Sequence, residues 1–310
     1  MQIVRGLHNL LPAHRGSALT IGNYDGVHRG HQAVLASLRE RAAALRVATT
    51  VVIFEPTPQE YFGGASAPAR LMRLRDKLVV LGEQGVERVL CLRFDRALAA
   101  LSAETFIERV LVQGLGARHV VVGADFRFGS GRAGDPSMLA AAGSRSGFSV
   151  AAAPTFVLDG ERVSSTAVRH ALAAGDCEHA GRLLGRLYRI CGRVIGGRRL
   201  GRALGYPTAN MAIGRRVCPL HGIFAVRVAG AGEGWLPGVA SLGTRPTVGG
   251  GPLLLEAHLF DFDAALYGRR LEVEFVAKLR DEERFDSTEA LAVQMRRDEA
   301  QARAILAQTH

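Results

Sequence analysis

Two histidines three residues apart stand in the run Gly22-Asn23-Tyr24-Asp25-Gly26-Val27-His28-Arg29-Gly30-His31. An apolar stretch, Ala18 to Ile21, precedes the run, and Gln32 to Leu38 follows it with apolar residues at helical spacing. The pattern predicts a strand, a glycine-rich turn and a helix with both imidazoles at its start. A helix start presents unpaired N–H groups and the positive end of a dipole, a setting that suits phosphate. Two imidazoles on one face add donors aimed at the same spot. The chemistry expected is the holding of a polyphosphate, by Gly22, Asp25, Gly30 and both histidines, while one phosphorus is attacked. Solvated polar residues are the plain alternative. Zinc is another, but it needs a third ligand, and the neighbour at hand is Asp25.

The elements that must position this run alternate through the first half. Strands are expected at 18–22, 47–54, 88–93, 119–123 and 149–154, with helices at 31–45, 74–84, 103–114 and 136–147 between them. Such alternation predicts a parallel, doubly wound sheet, in which ligands bind beyond the carboxyl ends of the strands. Ser164-Ser165-Thr166 then opens a helix ended by Gly175, and Asp176 caps the next one. After Gly185 short apolar stretches recur between Gly/Pro turns, at 188–194, 223–228, 238–242, 253–260 and 271–278, which predicts a small antiparallel β-barrel. A helix from about Ser287 to Gln308 closes the chain, with Asp286 and Glu289 as its capping box and Leu291, Met295, Ala302 and Ile305 facing inward. Domains of residues 1–184 and 185–310 follow.

With 48% hydrophobic and 22% charged residues the 310-residue chain has a globular composition. It shows no signal-peptide core and no run long enough to span a bilayer, and its four cysteines are scattered. The expectation is a cytoplasmic protein with no membrane partner. The net charge is +10, and 37 of the 39 basic residues are arginine. From His179 to Gly232 there is no Asp or Glu but there are ten arginines, an excess that attracts phosphates of a nucleotide or of a nucleic acid. That stretch lacks the interleaved aromatics of a base-stacking platform, so no nucleic-acid partner is expected.

Six segments in order resemble the bacterial bifunctional riboflavin kinase/FMN adenylyltransferase family. They are the opening run, Val121–Gly129, Arg162–Arg169 with its Ser-Ser-Thr, Gly205-Tyr206-Pro207-Thr208-Ala209-Asn210, Gly243–Thr247 and Glu256–Asp261. The resemblance covers nearly the whole chain. It implies a Rossmann-like α/β nucleotidyltransferase domain followed by a riboflavin kinase-like barrel with a C-terminal helix. It also implies two reactions: riboflavin takes the γ-phosphate of ATP to give FMN, and FMN takes AMP from a second ATP to give FAD and pyrophosphate. The implied substrates are small molecules, with Mg2+ as cofactor, acting on a monomer or weak homo-oligomer.

The resemblance also implies roles. For adenylyl transfer, His28 and His31 contact the phosphates, joined by Arg162, Ser165, Thr166 and Arg169, while Asp125 with Phe126 and Phe128 shapes the flavin or adenine pocket, core packing being the favoured role of the two phenylalanines. The FMN phosphate is itself the nucleophile, so catalysis rests on alignment and charge neutralisation. For the kinase, Glu256 aligns with the base and Thr208 and Asn210 with ligands of Mg2+ and phosphate. Gly201 and Gly205 suit a flap over ATP. Arg280 falls at the flavin end, with an ion pair to Asp281 or Glu282 as the alternative.

Several positions depart from the family pattern. Tyr24 replaces Phe, a swap that requires a partner for its hydroxyl. Thr57 replaces His, Leu187 replaces Pro and Phe224 replaces Tyr. Competing readings are a kinase whose first domain has lost activity and a flavin-sensing or RNA-binding regulator. A relative of the class I aminoacyl-tRNA synthetases would need a lysine-rich loop, and Lys77 and Lys278 are the chain's two lysines.

Overall fold

A computed structural model describes residues 1–196, 206–214, 217–244 and 253–308. Contacts divide the chain into two compact units, residues 1–68 with 72–164, and residues 69–71 with 165–310. The helices Ser165–Ala173 and Cys177–Leu184 thus group with the barrel, whereas the sequence reading places them in the first domain.

In the first unit six parallel strands form one sheet: β1 (Gln2–Arg5), β2 (Ser17–Ile21), β3 (Ala48–Glu55), β4 (Arg88–Arg93), β5 (Ala117–Gly123) and β6 (Ser149–Ala153). Their spatial order is β1-β4-β3-β2-β5-β6. The order reverses between β2 and β5, and a crevice opens there at the carboxyl ends. Strands β2 to β5 read as near-continuous apolar runs because both faces are covered. One face packs on the helical stretch 103–114 and on Pro136–Ser146, with Leu19, Val52, Leu90 and Val120 in its core. The helix α1 (Arg29–Leu45) leaves β2 through the glycine-rich turn and buries Leu35, Leu38 and Ala42. A small hairpin, β7 (Val157–Leu158) and β8 (Glu161–Arg162), follows the sheet.

The second unit holds a closed antiparallel barrel: β9 (Tyr188–Ile195), β10 (Ala209–Ala212), β11 (Gly222–Ala229), β12 (Trp235–Thr244), β13 (Leu253–Leu259) and β14 (Arg270–Arg280), in the order β10-β13-β12-β11-β14-β9 and closed by β9 on β10. Burial alternates along β13, with Leu253, Leu255, Ala257 and Leu259 inward and Leu254, Glu256 and His258 on the other face. Phe224, expected as a departure, is fully buried edge-to-face against Phe275 at 5.3 Å, so no hydroxyl partner is required there. The C-terminal helix, Thr288–Gln308, lays Ala302, Ile305 and Leu306 over Ala225, Val239, Leu279 and Phe260. Its cap is Ser287, whose Oγ accepts the Ala290 N–H at 3.1 Å, one residue later than the expected Asp286.

One arginine of the acid-free stretch is paired from another strand. Arg189 on β9 meets Glu272 at 2.6 Å and Glu274 at 2.7 Å on β14, which pairs with β9 residue by residue.

Candidate active sites

In the first unit a cavity of about 230 Å³ opens at the reversal point, walled by the ends of β2, β5 and β6 and by His28, His31 and Arg162. His28 is the N-cap of α1, and its Nδ1 accepts the His31 N–H at 3.3 Å. With Nδ1 used as an acceptor, the neutral ring carries its proton on Nε2, which is a donor. The His28 and His31 rings stack at 3.7 Å. Burial drives the His31 pKa well below the usual imidazole range, and the neighbouring His28 and Lys77 push it the same way. Its Nδ1 is buried with no hydrogen-bond partner among the described residues. His31 is therefore a neutral ring beside the His28 cap at a helix start, which is phosphate-contact chemistry. Among the described residues no group of three or more His, Cys, Asp or Glu could hold a metal.

Packing explains the turn. A Cβ on Gly30 would stand 3.2 Å from the His28 ring, and one on Gly22 would stand 3.2 Å from Tyr24. Tyr24 finds the partner its hydroxyl requires: it bonds Thr20 Oγ1 at 2.8 Å, and burial raises its pKa far above the usual phenol range. Val27 sits at φ 42°, costly for a β-branched side chain, and its carbonyl accepts from Gln32 Nε2 at 2.9 Å. Asp25 is buried and absent from the cavity wall; its Oδ1 accepts the Met72 N–H at 3.1 Å, which makes it a tie for the turn. Sequence reasoning missed Lys77 altogether. It is 1% exposed, on the helix Leu74–Glu83, and its Nζ donates to the Asn23 carbonyl at 2.6 Å. A cation thus sits buried against the turn, where it favours anions. The one sequence signal was the survival of lysine in a chain that otherwise uses arginine.

Asp125 and Arg162 both line the cavity and form an ion pair with each other, and the guanidinium holds the Asp125 carboxyl below the usual range. Of the two phenylalanines Phe128 takes the packing role. It is 8% exposed within the core, 5.7 Å from Phe106, because the chain turns inward at Gly129 to bridge Gly134. Phe126, stacked on it at 5.5 Å, takes the cavity wall instead. Thr57 caps the helix Pro58–Gly63 in a reciprocal box with Glu60, which gives its hydroxyl a structural use. Ser165, Thr166 and Arg169 lie in the second unit, where Arg169 Nε donates to the Ala69 carbonyl at 2.6 Å.

In the second unit, register brings the remaining residues together. Asn210 on β10 stands opposite Glu256 on β13, and Glu256 stands opposite Ser241 on β12. Directly opposed residues point to one face with Cβ atoms about 4.5–5.5 Å apart, so amide, carboxylate and hydroxyl form a row across three strands. Ser241 Oγ also donates to Glu282 Oε1 at 3.1 Å. Thr208 and Asn210 line a cavity of about 220 Å³ with Asp263 and Tyr267, and Glu256 is outside its wall. The hydroxyl and amide oxygens there are hard donors. They are too few for a complete magnesium site, but they suit an ion that arrives with substrate phosphates. Gly201, Gly205 and most of the 243–247 motif lie outside the described residues.

Arg280 has an ion-pair partner other than the two expected. Its Nε and Nη2 grip the Asp298 carboxylate at 3.0 and 2.8 Å and Nη1 donates to the Asp281 carbonyl at 2.9 Å, so the partner is on the C-terminal helix and not Asp281 or Glu282.

Residues 11–167 match the family model for FAD synthetase and residues 184–306 the model for riboflavin kinase. A bifunctional riboflavin kinase/FMN adenylyltransferase of Pseudomonas fluorescens is 56% identical over 308 residues, covering 99% of this chain and 98% of the relative. Its namesake in Escherichia coli (strain K12) is 50% identical over 304 residues, covering 98% and 97%. A crystal structure described as a macrolide-efflux protein from Streptococcus pneumoniae matches with a TM-score of 0.84 at 26% identity, covering 98% of this chain and 99% of that one. Among the described residues no helix is long and apolar enough to cross a membrane, and what that likeness carries is the two-unit fold. Two family models in the order of the two units, with relatives matched almost end to end, place the chain in the bifunctional riboflavin kinase/FMN adenylyltransferase family.

Proposed function

We propose that the barrel unit transfers the γ-phosphate of ATP to riboflavin and that the parallel-sheet unit then transfers AMP from a second ATP to the FMN so formed, releasing pyrophosphate. The functional division runs at residue 184, with adenylyl transfer in 1–184 and phosphorylation in 185–310. The observation that carries the reading is the pair of stacked imidazoles at the start of α1, within the cavity at the reversal of strand order.

In adenylyl transfer the FMN phosphate attacks the α-phosphorus and pyrophosphate leaves. His28 through Nε2–H and His31 donate to the phosphate oxygens on which charge builds. The α1 dipole and the Lys77 cation add fixed positive potential. Arg162 exchanges its bond with Asp125 for a phosphate oxygen, and Phe126 offers a flat apolar wall to a ring.

In phosphorylation Glu256 takes the proton of the attacking ribityl hydroxyl. Thr208 and Asn210 would hold Mg2+, which when bound spreads the charge of the β- and γ-phosphates. Asn210 beside Glu256 sets the carboxylate next to the transferred group.

The test is product analysis by chromatography with ATP, Mg2+ and riboflavin. FMN and then FAD are expected. Glu256→Gln is expected to lower FMN formation by about 100-fold or more while FMN-to-FAD conversion stays within about twofold of the parent. A parent protein that stops at FMN would leave only the kinase.

A further inference from the structure

The Glu256–Asp261 motif carries an imidazole that neither proposed reaction uses. His258 shares the outer face of β13 with Glu256, two residues away. The last paired residues of β10 and β13 are Ala209 and Ala257, so one step further Thr208 comes level with His258. His258 Nδ1 stands 2.9 Å from the Pro207 carbonyl oxygen. A carbonyl only accepts, so Nδ1 carries the proton and donates. Beyond Ala209 no ladder pairing is seen among the described residues at this end of β10, and the His258 bond takes over where the pairing stops.

The ring is itself held. Tyr206 meets it edge-on at 5.0 Å and Phe260 at 5.9 Å. The C-terminal helix braces both neighbours. Glu299 bonds the Tyr206 hydroxyl, raising its pKa together with burial, while Arg303 covers the Phe260 ring at 4.3 Å and grips Asp261 with two bonds of 2.9 and 3.1 Å. An imidazole fixed in plane by two aromatic rings, with its N–H on the carbonyl just before Thr208, has the arrangement of a strut.

We infer that His258 is a positioning residue for riboflavin phosphorylation, fixing the Pro207–Thr208 peptide so that the Thr208 hydroxyl and the Asn210 amide meet the ATP phosphates in register with Glu256. The inference rests on the kinase reading above. The ring touches no substrate; it acts through the backbone it pins.

The experiment compares three variants in the full chain. Asparagine places its amide N–H close to the position of Nδ1, whereas glutamine places it near Nε2. His258→Ala and His258→Gln are expected to lower kinase kcat/KM for ATP by about tenfold, the size of one lost hydrogen bond, mostly through KM. His258→Asn is expected to stay within about threefold of the parent. FMN-to-FAD conversion, measured on the same samples, should be unchanged in all three. Hydrogen exchange supplies a readout besides activity: amides of 208–210 should lose protection in the Ala variant while those of β11 and β14 keep theirs. Full kinase activity in the Ala variant would overturn the role, as would equal losses in the Asn and Ala variants. Loss of protection throughout the barrel would overturn it as well, by making His258 a general support of the fold. Failure of the parent to make FMN would strike the kinase reading itself, a result distinct from all of these.

Discussion

The Nδ1 atom of His28 accepts the His31 N–H at 3.3 Å, and the ring can gain a second proton only by giving up that cap. His31, held well below the usual imidazole range, stays neutral where an exposed histidine would charge. The unfolded chain binds a proton there first as pH falls, so stability is full above the usual range and is lost as pH drops from it toward the folded value. Lys77→Met removes one of the charges that hold His31 low, so the acid limb of adenylyl transfer should move to higher pH; an unmoved limb would separate Lys77 from His31. The Asn23 carbonyl also loses its donor, which should cost about 1–3 kcal/mol in urea unfolding. Neither effect was readable in advance. The imidazole spacing gave the helix start, and the Tyr24 hydroxyl announced its need for a partner. Lys77 reaches Asn23 across 54 positions, a distance no local pattern spans.

Elements were legible where periodicity had length to act. The five strands and four helices of the alternating half fall within two residues of their expected bounds. Strands β1 and β10 were missed, each four residues long, the first with only Val4 buried and the second with the polar Asn210 among its buried positions. Short strands carry no countable alternation, and pairing with a distant neighbour makes them. The same holds for the Arg280–Asp298 pair, where the two partners lie on different elements. Asp298 is 5% and Arg280 16% exposed at the side chain. Arg280→Ala strands a buried carboxylate and should lower stability by about 3 kcal/mol in denaturant unfolding. A double Arg280→Met, Asp298→Leu replacement should regain most of that loss, since no charge is then left unpaired. If the double variant is no better than the single one, the pair is not the tether of the C-terminal helix.

At the scale of the molecule, the chain folds into two compact units, each with a cavity, and belongs to a family that carries two reactions. FMN is product of one and substrate of the other. A mixture of Glu256→Gln protein with His28→Ala, His31→Ala protein should therefore convert riboflavin to FAD when neither does so alone. Failure of the mixture, with each partner keeping its remaining activity, would mean that FMN does not pass through solution. The division into two folds was readable from the change of pattern after Gly185. The grouping of residues 165–184 with the barrel was not, because helix signals do not say which core a helix joins. Lysine scarcity has a practical consequence. The chain has two side-chain amines, Lys77 at 1% exposure and Lys278, whose ammonium is held by Asp281 at 2.6 Å. An amine-reactive dye added to the native protein meets the N-terminal amine first, and dye appearing at residue 77 would time the loosening of the turn that carries His28.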